Sequence, residues 1–262
     1  QELCLNDINL PCHKFNAAQL SEVHMPRAVL PYSDFSDASL DYANFSFAKM
    51  EQCNFSRSLL PSTNFSNANL EGSHFDDALL KYTNFRGANL TGVHFDHADI
   101  SCADFSGAIL DNASFSGAVI ENTIFDRASL QHANLSNQDI KSSSFKSSVL
   151  IGASFENSRV SSDTSMENAD MQSCNLLSSD FTNVNFVCAN LESAQIIDAH
   201  LQGCNLDEAN LSRADISSSN LQSANLDSTI MKNTIAENTD LSNARLLYTD
   251  LRGASLTHAV LS

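Results

Sequence analysis

Large apolar residues recur every five positions along this chain. Every multiple of five from Leu5 to Val160 is Leu, Ile, Val, Met or Phe. After Val160 the phase slips by one, resumes at Met166 and holds through Leu261, with one weak step at Ala236. Of the 16 Phe, only Phe47 lies off the register. This is neither the 3.6 period of a helix nor the 2.0 period of a strand. Two residues before each large one the chain is mostly small, as at Ala38, Ala43, Ala68 and Ala88, and the residue between is mostly polar, as at Asn54, Asn64 and Asp104. Small-polar-large is strand alternation, with the small and large residues pointing inward. Two residues remain in each step. All four Pro (Pro11, Pro26, Pro31, Pro61) take the first of them and all eight Gly take the second. Pro first and Gly second is the preference of a type II turn. Each step is therefore a very short strand and a corner.

Four corners close a coil of 20 residues, and successive coils stack as parallel strands. The predicted fold is all-β, with about 13 coils spanning about 60 Å at roughly 4.8 Å between strands. Residues ten apart face each other across a coil. Phe15, Phe35, Phe55, Phe75, Phe95 and Phe115 are predicted to stack on one wall, and Phe45, Phe65, Phe85, Phe105, Phe125 and Phe145 on the wall opposite. A filled interior leaves no internal ligand pocket.

The steps ANLEG (68–72), ANLTG (88–92), ADFSG (103–107) and ANLDS (224–228) resemble the pentapeptide-repeat family, over essentially the whole chain. The resemblance implies a right-handed quadrilateral parallel β-helix. The register predicts one solenoid domain over 1–262, with irregular first coils over 1–30 and a phase slip at 160–166. Leu3, Ile8 and His13 stand where small residues belong. The slip calls for a bulge, because a one-residue shift would turn the inward set outward. Gln138 is inward by register and needs a hydrogen-bond partner. The chain stops in register at LTHAVLS without a capping helix, and solenoids normally need end caps, so a fragment of a larger protein is expected.

Net charge is −17, from 31 acidic and 14 basic residues. That argues against nucleic-acid binding, which needs a basic surface. No stretch has the apolar length of a membrane span. The seven Cys show no paired spacing; Cys53, Cys174 and Cys204 take inward small positions and Cys12, Cys102 and Cys188 take corners. A reducing compartment fits this better than a disulfide framework. His74 and His94 point outward in adjacent coils, and Asp76, Asp77 and Asp96 crowd one corner. The two histidines also allow a metal pair, but the cluster reads as solvated polar groups, so no metal, cofactor or catalytic residue is assigned.

Outward apolar residues are the better pointer to function. Leu59 and Leu79 fall in the polar position one coil apart, with Pro61, Tyr42 and Tyr82 at the adjoining corner. Tyr42, Leu59, Leu79 and Tyr82 are the candidate protein-binding residues, as an apolar strip on an otherwise polar surface. Val29, Pro31 and Tyr32 form a smaller group, and Phe47 stands apart. Nearby acidic residues, Asp41 and Glu121, would steer a basic partner.

Repeat style, length and uncapped ends resemble the β-helix segment of bacterial HECT-like E3 ubiquitin-ligase effectors of the SopA type. That resemblance implies a non-catalytic, monomeric recognition module of a type III-secreted virulence effector acting in the host cytosol. It would recruit host proteins, including tripartite-motif RING ligases, while catalysis lies in lobes outside this chain. A different class is also open. Some pentapeptide-repeat proteins are acidic DNA mimics that occupy the DNA site of gyrase, although about 60 Å of duplex carries roughly 35 phosphate charges. A third reading is a membrane-associated display scaffold of the PipB type.

Overall fold

The computed structural model describes residues 4–261, which divide into two compact units, the first ending at Ala133 and the second beginning at Asn134. Leu3 lies outside the described residues. No helix occurs among them.

In the first unit one step shows how five residues satisfy their own backbone. Phe35 points inward and is fully buried. Ser36 and Asp37 form the corner, closed by the Ala38 N–H donating to the Phe35 carbonyl at 3.1 Å. The Ser39 N–H donates to Ala18 in the coil before, at 2.9 Å. The Leu40 N–H donates to Leu59 in the coil after, at 2.8 Å, and the Asp37 N–H reaches Ser56 at 3.0 Å. In this step one N–H has no backbone acceptor, that of the first corner residue, Ser36. Here the outward Asp34 carboxylate accepts it, Ser36 N–H to Oδ1 at 3.0 Å. Asn44, Asn54 and Asn64 do the same for Ser46, Ser56 and Ser66. Asn and Asp dominate the outward position because their short side chains make this turn.

Proline solves the same problem by removing the N–H. Pro26, Pro31 and Pro61 stand two residues after His24, Val29 and Leu59, outward residues that are neither Asn nor Asp, whereas Pro11 stands two after Asn9.

The second corner residue sits at positive φ throughout, from Asp7 at 57° onward, while the first does not. That is the type II turn expected. Strands this short appear as single parallel bridges between residues 20 apart, such as Asn44↔Asn64 and Asn64↔Asn84. The one longer run here is β1 (Ile120–Glu121).

Inside this unit Phe rings 20 apart are stacked, for example Phe55 on Phe75 at 4.7 Å and Phe85 on Phe105 at 4.9 Å. Rings ten apart meet edge to face, Phe75 against Phe85 at 5.7 Å. Offset and edge-to-face pairs each add about 0.5–1.5 kcal/mol beyond burial. The first coils are irregular in residue choice only. Bridges Cys4↔His24, Asn9↔Val29 and Lys14↔Asp34 follow the common spacing. Ile8 is half-buried, and His13 is exposed with its ring tilted over Phe15 at 5.5 Å. Exposure, not backbone deformation, accommodates both.

The second unit repeats the coil; Phe145, Phe155, Phe181 and Phe186 are buried in its core, and beyond Phe186 the core is aliphatic. Its strands β2 (Asp139–Lys141) and β3 (Arg159–Val160) pair in parallel, Asp139 with Arg159 and Ile140 with Val160. The phase slip is taken up at the corner that follows β3. Bridges before it join residues 20 apart (Asn134↔Ser154), bridges across it join residues 21 apart (Ser144↔Ser165), and those after it return to 20 (Ser165↔Asn185). Ser161 is the added residue: its N–H donates to Ile140 at 2.9 Å, and its carbonyl accepts from Thr164 at 2.9 Å. Its hydroxyl accepts the Ser142 N–H at 2.9 Å, and the Ser142 hydroxyl donates to Asp163 at 2.6 Å. Val160 and Met166 stay buried on either side, so a bulge absorbs the slip as expected. Gln138 is buried and donates to the Ser136 carbonyl at 2.8 Å. The core does not open at Ala236, which is fully buried. Thr234 and Thr239 occupy the small positions beside it and donate to the Leu211 and Ile216 carbonyls at 2.8 and 2.9 Å.

Candidate functional site

The outward residues of one wall and one corner of the first unit form an open groove of about 550 Å³. Its lining is Tyr42, Leu59, Pro61 and Leu79, with Asp41, Lys81 and Asp99. The geometry follows from the 20-residue spacing: Leu59, Leu79 and Asp99 are bridged neighbours up one wall. Leu59 is 44 % exposed, Leu79 47 % and Tyr42 63 %, large values for residues that gain nothing from contact with water. Tyr82 is 65 % exposed but does not line the groove. Three of the four candidate residues are thus brought together and the fourth stands apart. Tyr42 and Tyr82 both hold positive φ, near 60°.

The rim is charged and ordered. Asp41 accepts the Ser21 hydroxyl at 2.7 Å and the Ser39 hydroxyl at 3.1 Å, and these donors hold its carboxyl below the ordinary carboxylate range. Lys81 pairs with Asp99 at 3.2 Å. Partial burial pushes the Asp99 carboxyl up, but the Ser101 hydroxyl and N–H together with Lys81 outweigh it and hold the group ionised. Sequence reasoning assembled the apolar members and Asp41 but missed Lys81 and Asp99. The signal was present: adding 20 to Pro61 gives Lys81, and adding 20 to Leu79 gives Asp99. Other outward apolar residues were also missed, among them Ile109, Val119, Leu247 and Tyr248.

The inward cysteines of both units are suppressed as nucleophiles. Burial pushes the Cys53 and Cys204 thiols up to about 12, and Cys174 is raised as well, the opposite of what a nucleophile needs. Each donates to a carbonyl, Cys53 to Leu30 at 3.1 Å and Cys204 to Phe181 at 2.9 Å. Among the described residues no buried side-chain nitrogen or oxygen lacks a partner. The Leu-lined axis of the second unit, from Leu176 to Leu221, has no room for a water molecule. No helix of the described residues is long and apolar enough to cross a membrane.

On the wall before the groove, the outward rings of His74 and His94 stack at 4.7 Å with 20° between their planes. Nδ1 of His74 lies 3.3 Å from Asp76, and Nδ1 of His94 lies 3.6 Å from Asp96.

The profile of the pentapeptide repeats family matches in eight copies, over residues 15–57, 62–96, 88–127, 98–137, 128–161, 162–195, 194–233 and 231–262. Proteins of that family form right-handed quadrilateral β-helices, and the non-helical coils described above are of that kind. No curated protein matches. Among solved structures, the chain is similar to HetL, a pentapeptide repeat protein involved in heterocyst differentiation regulation from the cyanobacterium Nostoc. The identity is 22 %, coverage is 98 % of this chain and 90 % of that one, and the TM-score is 0.34. It is also similar to Rfr23 from the cyanobacterium Cyanothece, at 20 % identity, 45 % and 87 % coverage and TM-score 0.34. Full-length QnrB1, a plasmid-mediated fluoroquinolone resistance protein, matches at 19 % identity, 99 % and 93 % coverage and TM-score 0.32.

Proposed function

We propose that this chain, which belongs to the pentapeptide-repeat family, is a non-catalytic protein-recognition module whose contact surface is the Tyr42–Leu59–Leu79 groove. One observation carries the reading: two leucines, a proline and a tyrosine converge at positions the repeat mostly fills with polar residues, inside a charged, hydrogen-bonded rim. Apolar surface rimmed by charge is the anatomy of a protein contact. The buried thiols and satisfied polar groups support the absence of chemistry in the chain itself.

The finer proposal follows the resemblance to HECT-like ubiquitin-ligase effectors. On that resemblance the chain is the recognition part of a secreted bacterial effector. In the host cytosol it presents the groove to a tripartite-motif RING ligase and delivers it to the catalytic lobes. The alternative, an acidic DNA mimic acting on an enzyme such as gyrase, draws on the net charge of −17. Calorimetry of the purified chain with purified tripartite-motif RING ligases, and separately with gyrase, separates the two. Saturable one-to-one binding to a RING ligase supports recruitment. Binding to gyrase alone, displaced by duplex DNA, overturns it.

A further inference from the structure

The stacked histidines of the first unit do not belong to the groove, and their geometry is that of a ligand set. One ring nitrogen of His74, one of His94 and a carboxylate oxygen of Asp76 lie within 4.8 Å of one another. The three come from two adjacent coils. His74 and His94 are bridged neighbours on a wall, and Asp76 stands at the corner directly after the first. The wall repeats every 20 residues, so both Cα–Cβ bonds leave it in the same direction, and the rings lie 20° from parallel.

We propose that His74, His94 and Asp76 form a surface site for a divalent transition-metal ion of the zinc type, held across two coils. Two imidazole nitrogens and one carboxylate oxygen, with the fourth position open to water, form a common three-ligand zinc set. Metal–ligand bonds of about 2.0–2.2 Å place tetrahedral ligand atoms roughly 3.3 Å apart. Exposed side chains close the remaining distance by small rotations. Nitrogen donors select zinc, nickel or copper over magnesium and calcium, which take oxygen ligands. Asp96 supplies the surrounding shell. Its carboxylate is oriented by the Ser114 hydroxyl and by the Ser116 N–H at 3.1 Å, and it faces the Nδ1 of His94. A carboxylate behind a ligating imidazole fixes the ring and raises its basicity as a ligand. The bound ion would tie one coil to the next, so it stabilises the folded unit in proportion to its occupancy. This inference is independent of the groove and of the identity of its partner.

The test is titration of the chelator-treated chain with zinc chloride alone, by calorimetry and by histidine proton resonances. Chains carrying His74→Gln with His94→Gln, Asp76→Asn, and Cys4→Ser with Cys12→Ser are titrated in parallel. All these positions are outward, so melting without metal stays at the wild-type value. The wild-type chain is expected to take up one zinc that the double histidine variant does not, with the His74 and His94 resonances shifting together. Asp76→Asn weakens that uptake at least tenfold, and the cysteine variant retains it. Zinc raises the melting temperature of the wild type by a few degrees and not that of the double histidine variant. Superimposable isotherms for the wild type and the double histidine variant overturn the site. So does unchanged affinity in Asp76→Asn, or loss of the uptake with the cysteines.

Discussion

The position most sharply restricted by backbone geometry is the second corner residue. It holds φ near +60° at Asn67, at Tyr82 and at every other ordinary corner. For an L-residue that conformation costs about 1–2 kcal/mol. No Val, Ile or Thr is found there, although Thr91, Ile151, Val187 and Ile197 occupy the first corner position one residue earlier. Branching at Cβ adds to the clash, and Ser, Asn and Asp avoid it. Asn67→Val is therefore expected to lower stability by roughly 1–2 kcal/mol, whereas Ser66→Val, at the first corner position beside it, leaves it nearly unchanged. Thermal melting of the two variants side by side checks this. The inward position is restricted by volume instead. Phe85 is fully buried between Phe65 and Phe105. Phe85→Ala should cost about 3–5 kcal/mol, from lost burial and the cavity left behind. Unchanged melting there would refute the register.

At the scale of the five-residue step, stability rests on closing every backbone N–H. Asn64 accepts the Ser66 N–H at 3.0 Å, and the Asn84 side chain donates to the same oxygen at 3.2 Å, so one residue serves a corner and the coil above. Asn64→Ala is expected to cost about 1 kcal/mol per lost bond. Asn64→Ala combined with Ser66→Pro should recover part of that loss, because proline removes the unpaired donor. Chemical denaturation of the pair checks the order. The alternation of walls and corners was legible in the sequence because inside and outside differ in hydrophobicity, and the period records it directly. The corner accounting was not legible. Asn and Asp read simply as polar until the hydrogen bonds separate the capping oxygen from a solvated one. The bulge was legible as a count of six at 160–166, but its resting place at Ser161 depends on the Ser161 and Thr164 hydroxyls, which accept the Ser142 and Ser143 N–H groups of the coil before. The groove was half legible: Leu59 and Leu79 violate the pattern and announce themselves, while Lys81 and Asp99 obey it and are found only by stacking.

For the molecule as a whole, acidity sets the pH response. Asp41 is held below the ordinary value by the Ser21 hydroxyl, with Ser39 adding to it. Burial raises Asp99 and Asp104, but Ser101 with Lys81, and Ser106 with Arg86, more than reverse it. A carboxyl whose folded value is depressed contributes stability above its unfolded value of about 3.9 and loses it as pH falls through the folded value. Melting temperature is therefore expected to hold from neutral pH to about 4 and to fall below that. A rise below pH 4 would mean that relief of the net charge of −17 outweighs these bonds. The same charge makes association with a basic partner weaken as salt is raised.

The central claim is that the groove is where another protein sits. The direct measurement is calorimetry of a tripartite-motif RING ligase against three chains: wild type, Leu59→Ser with Leu79→Ser, and Phe47→Ser as an exposed apolar control outside the groove. All three should melt alike, because the substituted side chains point outward. If each leucine contributes roughly 1 kcal/mol, the double variant should bind at least tenfold more weakly, while the Phe47 variant binds like the wild type. Equal affinity for all three chains, or loss in the Phe47 variant alone, would contradict the account.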